Sequence, residues 1–340
     1  EASPKLREDW DQVHTGKPRP GYAEALPVFP AGEEVATRDA GKKIMQAFAP
    51  FVPTMVGGSA DLVESTKTEF EGGGVFARTH AGRNIPFGIR EHAMGAIVNG
   101  IALDPAMLSP YGSTFLIFSD YMRGAVRLSA LMGLPSVWVW THDSVAVGED
   151  GPTHQPVEHH MSLRAIPNLW YFRPADANEA VYAWRAALER TDGPVALALS
   201  RQKLPTLDRA VHAPAEGTLR GAYALWQSGE GTPDAIVVAT GSEVHVALEG
   251  AQAVDGNVRV VSMPCWDLFE EQDDAYVESV LPAGVPTVSV EAGITFGWRR
   301  WAQESVGIDR YGASAPAGRV LEELGITGAA VEAALRKVLA

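Results

Sequence analysis

The sequence predicts an α/β protein of two units, a parallel-sheet domain followed by a smaller, mostly parallel α/β domain. Three observations lead there. A chain of 340 residues has room for about two domains of roughly 100–200 residues each. Its 46% hydrophobic content is ordinary for chains with packed cores and argues against disorder. Beyond the first helix, short apolar runs of strand length alternate with one-face helical stretches, the order that lays parallel strands beneath helices on both faces.

Residues 1–36 are rich in Pro, Gly and charge, as in Gly16-Lys17-Pro18-Arg19-Pro20-Gly21, and read as a linker or extended arm. From Thr37, the stripe Ile44, Met45, Phe48 and Ala49 predicts a helix, which Pro50 and Pro53 end. Thr54-Met55-Val56 before Gly57-Gly58 reads as a short buried strand. A second helix spans 91–103, closed by Asp104-Pro105, and a third runs from about 115 to 132, stopped by Gly133 and Pro135. Ser136-Val137-Trp138-Val139-Trp140 reads as a buried strand. A Gly/Pro-broken loop follows, then a helix near 156–165, a strand at 169–172, a helix at 176–190 opened by Asp and Asn caps, and a strand at 195–199. A polar break over 208–221 divides a first domain, 37–210, from a second, 211–340. In the second, 235–239, 258–263 and 287–290 read as strands and 244–254 as a helix, and two helices close the chain.

The net charge of −14 disfavours a general nucleic-acid or anionic-membrane surface. A local Arg/His pocket can oppose that sign, so small anionic substrates stay open. The single cysteine, Cys265, excludes an internal disulfide and a cysteine-based metal site, and it suits a reducing compartment. No apolar run approaches 18 residues and no signal-peptide pattern is present, so a cytoplasmic location is expected. The first residue is Glu1 rather than Met, and with the arm-like start this favours one piece of a longer polypeptide.

The densest chemistry lies just after the strand at 136–140. Thr141-His142-Asp143 and then Gly148-Glu149-Asp150-Gly151-Pro152-Thr153-His154-Gln155-Pro156-Val157-Glu158 put two imidazoles and several acids on one loop. Open α/β sheets keep their ligand crevice at such strand ends, and histidine suits proton transfer near neutral pH. A pair of hydrogen-bonded structural histidines is the plainer alternative, and the glycines and Asp150 between them favour the functional one. No compact set of three ligands points to a His-based metal site, so no metal ligands are assigned. His159-His160 read as exposed or satisfied helix residues.

Weaker signals accompany that loop. Gly57-Gly58-Ser59-Ala60-Asp61-Leu62, with Ser65 beyond, suits close backbone approach to a ligand, yet alone is more often a turn and cap. Glu91 opens an apolar helix, where an acid commonly complements the helix dipole. The small apolar residues after it suggest a poorly solvated carboxylate able to hold a proton. Phe115, Phe118 and Tyr121 recur at helical spacing, usually a core stripe but equally a flat slot for a planar heterocycle. Arg38 and Arg201 are ordinary arginines by themselves, although Arg201 just past a strand end suits anion capture.

Taken together and in order, Ala36-Thr37-Arg38, residues 57–62 with Ser65, Arg90-Glu91-His92, Ser113-Thr114-Phe115-Leu116, Thr141-His142-Asp143, residues 148–158 and Leu199-Ser200-Arg201-Gln202 resemble transketolases. The resemblance is dense from about 38 to 207. It continues more thinly through Val260-Val261-Ser262-Met263-Pro264, Val290-Glu291-Ala292-Gly293 and Gly312-Ala313-Ser314-Ala315-Pro316. It covers that family's thiamine pyrimidine-binding domain and its C-terminal domain.

The resemblance implies thiamine-diphosphate-dependent transfer of a two-carbon ketol unit from a ketose phosphate to an aldose phosphate. It implies Glu91 as the acid on the pyrimidine nitrogen, Phe115, Phe118 and Tyr121 as the pocket around that ring, and Asp61 as a cofactor residue at a dimer interface. Arg38, Ser65, His142 and Arg201 would hold the substrate phosphate, with a partly cationic imidazole at His142. Asp150 would accept from a donor hydroxyl, and His154 would move protons on substrate oxygens. One departure matters. The family's N-terminal diphosphate-binding domain, with a Gly-Asp-Gly motif and an Asn on a divalent metal (Mg²⁺ or Ca²⁺), has no counterpart here, and Gly148-Glu149-Asp150-Gly151 is not that motif. The expectation is half of each site, completed by a second copy in a homodimer and by a diphosphate-binding domain in cis or trans, with little or no activity alone. The alternatives are a pyrimidine-binding subunit of a 2-oxo acid dehydrogenase or deoxyxylulose-phosphate synthase, and a non-catalytic binding module. The loop at 141–158 with Ser200-Arg201-Gln202 favours transketolase over these, because a sugar phosphate needs the extra phosphate ligands.

Overall fold

Strand Val137–Thr141 shows why this chain builds its first sheet. Val137 and Val139 enter a core with Ile44, Phe48, Trp184 and Leu197, while Trp138 and Trp140 enter the opposite core with Met94, Met122 and Ala198. Side chains alternate across a strand, so an unbroken apolar run demands cover on both faces, which is the environment of a parallel sheet. Each large side chain so buried contributes about 1.5–3 kcal/mol.

The structure, a computed structural model, describes residues 3–104 and 108–340. Pro105, expected to help close the second helix, lies outside the described residues, as do Glu1 and Ala2 of the arm. A two-residue strand β1 (Glu34–Val35) leads into the helix Thr37–Phe48. The first sheet then uses β2 (Met55–Ser59), β3 (Ser109–Phe115), β4 (Val137–Thr141), β5 (Trp170–Phe172) and β6 (Val195–Leu199). Their spatial order is β2-β3-β4-β6-β5, with every neighbouring pair parallel. Helices Thr37–Phe48 and Ala177–Glu189 cover one face, Glu91–Leu103 and Ser119–Leu131 the other. As expected, Asp176 caps Ala177–Glu189, its carboxylate accepting from the Glu179 N–H at 2.7 Å. Strand β7 (Leu204–Pro205) returns to pair antiparallel with β1.

The second sheet comprises β8 (Tyr223–Gln227), β9 (Ala235–Ala239), β10 (Val258–Ser262), β11 (Thr287–Val290) and β12 (Glu304–Val306), in the order β12-β11-β9-β10-β8. Only β8 runs antiparallel, at one edge. Helices Glu243–Gln252 and Gly328–Leu339 cover one face, and Trp266, Phe269 and Trp298 pack on the other. Helices Ala317–Glu323 and Gly328–Leu339 are the two expected at the end of the chain. No helix among the described residues is long and apolar enough to cross a membrane.

Four local expectations are corrected. The arm is not merely extended, since Pro4–Thr15 is helical and β1 pairs with β7. The third helix begins at Ser119, after a 3₁₀ turn (Leu116–Phe118), and Phe115 instead ends β3. That strand escapes detection because Pro110, Gly112, Ser113 and Thr114 carry no apolar alternation. Gly57 and Gly58 lie inside β2 rather than in a turn after it. They are needed for close packing, since a Cβ at Gly58 would fall 2.1 Å from the Ile85 carbonyl oxygen and one at Gly57 2.1 Å from that of Tyr111. Finally, β8 and β12 had no sequence signal strong enough to be read.

Replacing Gly58 by Ala is expected to destabilise the chain by at least about 1–3 kcal/mol through overpacking. A lowered urea midpoint at unchanged slope checks it, and wild-type stability would contradict the close approach.

Candidate active site

Loops leaving the carboxyl ends of β2, β3, β4 and β6 meet above the first sheet, on the side where such sheets hold ligands. They form a cleft of about 490 Å³ lined by Ala60, Asp61, Leu62, Ile89, Glu91, Phe115, Phe118, Tyr121 and His154. Asp61, Glu91, the three aromatics and His154 thus line one cleft, although they come from four separate segments of the chain.

The aromatics form a ladder. Phe115 and Phe118 stack with centroids 5.8 Å apart and planes at 12°, and Tyr121 continues at 5.9 Å and 29°. Their spacing mimics a helix stripe, yet they sit on a strand end, a 3₁₀ turn and a helix. Phe115 is buried and Tyr121 is 66% exposed, so the ladder runs from the floor of the cleft to its rim. His154 meets Phe118 edge-on at 5.5 Å, and its Nδ1 lies 2.9 Å from Thr153 Oγ1. On the other side His142 stacks on Phe115 at 3.7 Å.

His142 has φ +61°, the left-handed region that side chains other than glycine rarely adopt, a strain of about 1–3 kcal/mol that concentrates at functional sites. Arg38 Nη1 donates to its Nε2 at 3.3 Å, and therefore Nδ1 carries the proton and donates to Thr141 Oγ1 at 2.8 Å. Burial, then the charges of Arg38 and Arg201, push its pKa down to about 3. The expected partly cationic imidazole is corrected: the ring is neutral, because it is buried beside two guanidiniums. Arg38 also donates to the Ser65 carbonyl at 3.1 Å, and its buried Nε has no partner among the described residues. Burial and then Arg201 lower its proton affinity. Arg38 and Arg201, with the neutral His142 beside them, thus form a cationic corner in which neither guanidinium has a carboxylate ion pair among the described residues, within a chain of net charge −14.

Glu91 departs from expectation. It is half-buried, and the small residues that follow it (Ala93, Ala96, Ile97) face outward, while Met94, Gly95, Val98 and Asn99 pack inward. The turn that aims Glu91 requires Gly88 at φ +68°, where a Cβ would press on the Arg90 guanidinium at 2.3 Å. Among the described residues its carboxylate has no hydrogen-bond partner. The outward faces of Glu91–Leu103 and Ser119–Leu131 expose Ile97, Leu103, Tyr121, Leu128 and Leu131, a band that begins at the cleft with Tyr121 and runs along the two helices. Asp150 lies exposed on the same loop but outside the cleft lining. His159 and His160 are both buried and hydrogen-bonded, to Asp120 and Tyr171.

Sequence reading missed a buried cluster behind this loop. Asp143 Oδ2 accepts from Arg173 Nε at 2.9 Å, Arg173 also pairs with Glu243, and Glu291 binds Arg164 through both oxygens at 2.7 and 2.9 Å. The only trace in the sequence is charge placed directly after strand-like runs, at Asp143, Arg173 and Glu291.

Comparison with known proteins gives the same two parts. Residues 33–206 match the family described as transketolase, pyrimidine binding domain, and residues 221–327 the transketolase-like TK C-terminal domain. The transketolase of Geobacillus stearothermophilus is 48% identical over 335 residues, which cover 96% of this chain and 50% of that protein. The structure of transketolase from Pichia stipitis in complex with sedoheptulose 7-phosphate is similar at a TM-score of 0.93 and 41% identity, covering 99% of this chain and 50% of that one. A split-gene transketolase chain, described as an inactive β4 tetramer, is similar at a TM-score of 0.71 and 25% identity, with 90% of this chain and 98% of that one covered. The chain spans about half the length of the curated relatives it matches.

His142 is expected to stay neutral through the physiological range, its ring NMR shifts flat from about pH 8 to pH 5. Because its folded pKa, about 3, lies below the ordinary 6.5, its contribution to stability is complete above 6.5 and is lost as pH falls from there toward 3. A titration midpoint near 6.5 would contradict the buried, cation-flanked ring.

Proposed function

Because this chain belongs to the transketolase family, we propose that it supplies the pyrimidine-binding half of a thiamine-diphosphate site and the sugar-phosphate pocket of a ketol transferase. The enzyme would move a two-carbon unit from a ketose phosphate to an aldose phosphate. The observation that carries this reading is the junction of three features at one set of strand ends: an unpartnered acid, a flat aromatic ladder and a cationic corner.

The residues present fit the heterocycle. Phe115, Phe118 and Tyr121 offer ring faces to a planar aromatic, and Glu91 lines the same cleft with a carboxylate free to meet a ring nitrogen. When bound, thiamine diphosphate supplies a nucleophilic carbon and an electron sink. Glu91 would hold and share a proton at that nitrogen once a second protein surface covers the outward helix face. Arg38 and Arg201 would bind the phosphate of the sugar, with the neutral His142 holding the Arg38 guanidinium through Nε2 at that pocket, aided by the Ser65 segment. His154, edge-on to the ladder, would move protons on substrate oxygens, and Asp150 would accept from a donor hydroxyl. Asp61, exposed at φ +67°, would meet cofactor or partner at the rim.

Nothing comparable stands ready for a diphosphate and its cation. Among the described residues the one His/acid grouping of ligand size is Asp120, Glu158 and His159, and it is occupied with its own ion pair, His159 Nε2 to Asp120 at 3.0 Å. The diphosphate and Mg²⁺ or Ca²⁺ would be held by a diphosphate-binding domain, in cis or trans. The exposed apolar band beside the cleft supports a second copy as the other wall. The likeness to a split-gene chain described as inactive supports low activity for this half alone.

Assayed with a diphosphate-binding half on xylulose 5-phosphate and ribose 5-phosphate, Glu91→Gln is expected to lower kcat at least about 100-fold with an unchanged circular dichroism spectrum. Unchanged turnover would remove the proton-sharing role. His142→Ala is expected to raise KM for phosphorylated donors about tenfold or more and to leave non-phosphorylated donors nearly untouched. Calorimetry on the chain alone is expected to show weak thiamine diphosphate binding, and tight binding would contradict the half-site.

A further inference from the structure

Each of the two cleft histidines is followed in sequence by a residue whose side chain is anchored, directly or through one arginine, to the second domain. After His142 comes Asp143, 2% exposed, which accepts from Arg173 Nε at 2.9 Å. After His154 comes Gln155, also 2% exposed, whose amide donates to the Gly148 carbonyl at 2.8 Å and to the Ala313 carbonyl at 2.9 Å.

Both anchors are built and not incidental. In the second sheet the crossover from β9 leads to β10 on one side and the next leads to β11 on the other, so the crevice beyond the carboxyl ends of β9 and β11 is where such a sheet receives a ligand. Arg173 of the first domain fills it. Its Nη1 donates to the Thr240 carbonyl at 3.2 Å and pairs with Glu243, and lies 3.5 Å from Glu291. Its own carbonyl accepts from the Gly241 N–H at 2.9 Å, and a Cβ at Gly241 would strike the guanidinium carbon at 2.7 Å. The second anchor is equally tight, since a Cβ at Gly312 would fall 1.8 Å from Gln155 Oε1. Beside it Ser314 donates to the Glu149 carbonyl.

We propose that Asp143 and Gln155 are positioning residues through which the second domain sets the two imidazoles on either side of Phe115. The role given to those imidazoles rests on the ketol-transfer reading, whereas the brace itself does not. The two halves act on different histidines. Asp143 steadies the ring that faces phosphate, and Gln155 steadies the ring that moves protons.

The test uses Asp143→Ala and Gln155→Ala in the full chain. Hydrogen exchange of amides in 142–154 is expected to quicken about tenfold in each variant, with β4 and β9 protected as in the wild type. In the assembly with a diphosphate-binding half, Asp143→Ala is expected to act mainly on KM for phosphorylated donors and Gln155→Ala mainly on kcat, each by roughly ten- to a hundredfold. Wild-type exchange in both variants overturns the brace. Equal shifts of KM and kcat in both variants, tracking a lower Tm, overturn the positioning role in favour of a merely structural one. If the wild-type assembly transfers no ketol unit while loop exchange responds, the functional reading falls and the brace stands.

Discussion

Arg173 is the hinge on which the two domains agree. Its guanidinium is fully buried and faces Asp143 from one domain and Glu243 and Glu291 from the other, with Arg164 as a second cation on Glu291. Two cations therefore meet three carboxylates, and the surplus negative charge must be carried somewhere. It falls on Asp143, which burial raises to about 6 against the pull of Arg173. Glu291 goes the other way: burial opposes its charge, but the bidentate Arg164 outweighs that and holds it at about 2. The signs follow. Ionisation of Asp143 weakens the joint as pH rises from its ordinary range toward 6, whereas the stabilising charge of Glu291 is lost only as pH falls from its ordinary range toward 2. Removing Arg173 or Arg164 from such a cluster strands buried carboxylates, at a cost of about 3–5 kcal/mol.

That joint matters because the proposed chemistry sits on the loop it holds. The strands are interchangeable cover for one another, but their carboxyl ends are not: β2 delivers Asp61, β3 delivers Phe115, β4 delivers His142 and β6 delivers Arg201 to one neighbourhood. The cationic corner there runs against a strongly acidic chain, and an isolated positive site in a negative surface selects small anions that fit over extended polyanions that would meet repulsion elsewhere.

Much of this was legible in residues alone. The run Val137-Trp138-Val139-Trp140 announces a doubly buried strand, and helix Glu91–Leu103 follows from its apolar composition and its position after Gly88. Strand β3 was illegible because small and polar residues fill a place where the neighbouring Trp138 needs room: a Cβ on Gly112 would lie 3.1 Å from that ring. The aromatic triplet was found by a spacing rule that does not apply to it, since its three residues belong to three kinds of backbone. The environment of Glu91 was misjudged for a simpler reason. Sequence shows that a helix is apolar, but not whether a given face meets its own sheet or the outside. The charge state of His142 likewise depends on Arg38 and Arg201, contacts made across the fold.

The aromatic ladder has a ring at its edge, Tyr121, that is mostly in water. A slot with a single wall cannot have a fixed affinity. Whatever supplies the opposite wall sets how firmly a planar guest is held, and by linkage the guest tightens the grip between the walls by the same factor. Dilution should then strip guest and partner together, and saturation with the guest should keep them joined at concentrations where they would otherwise part.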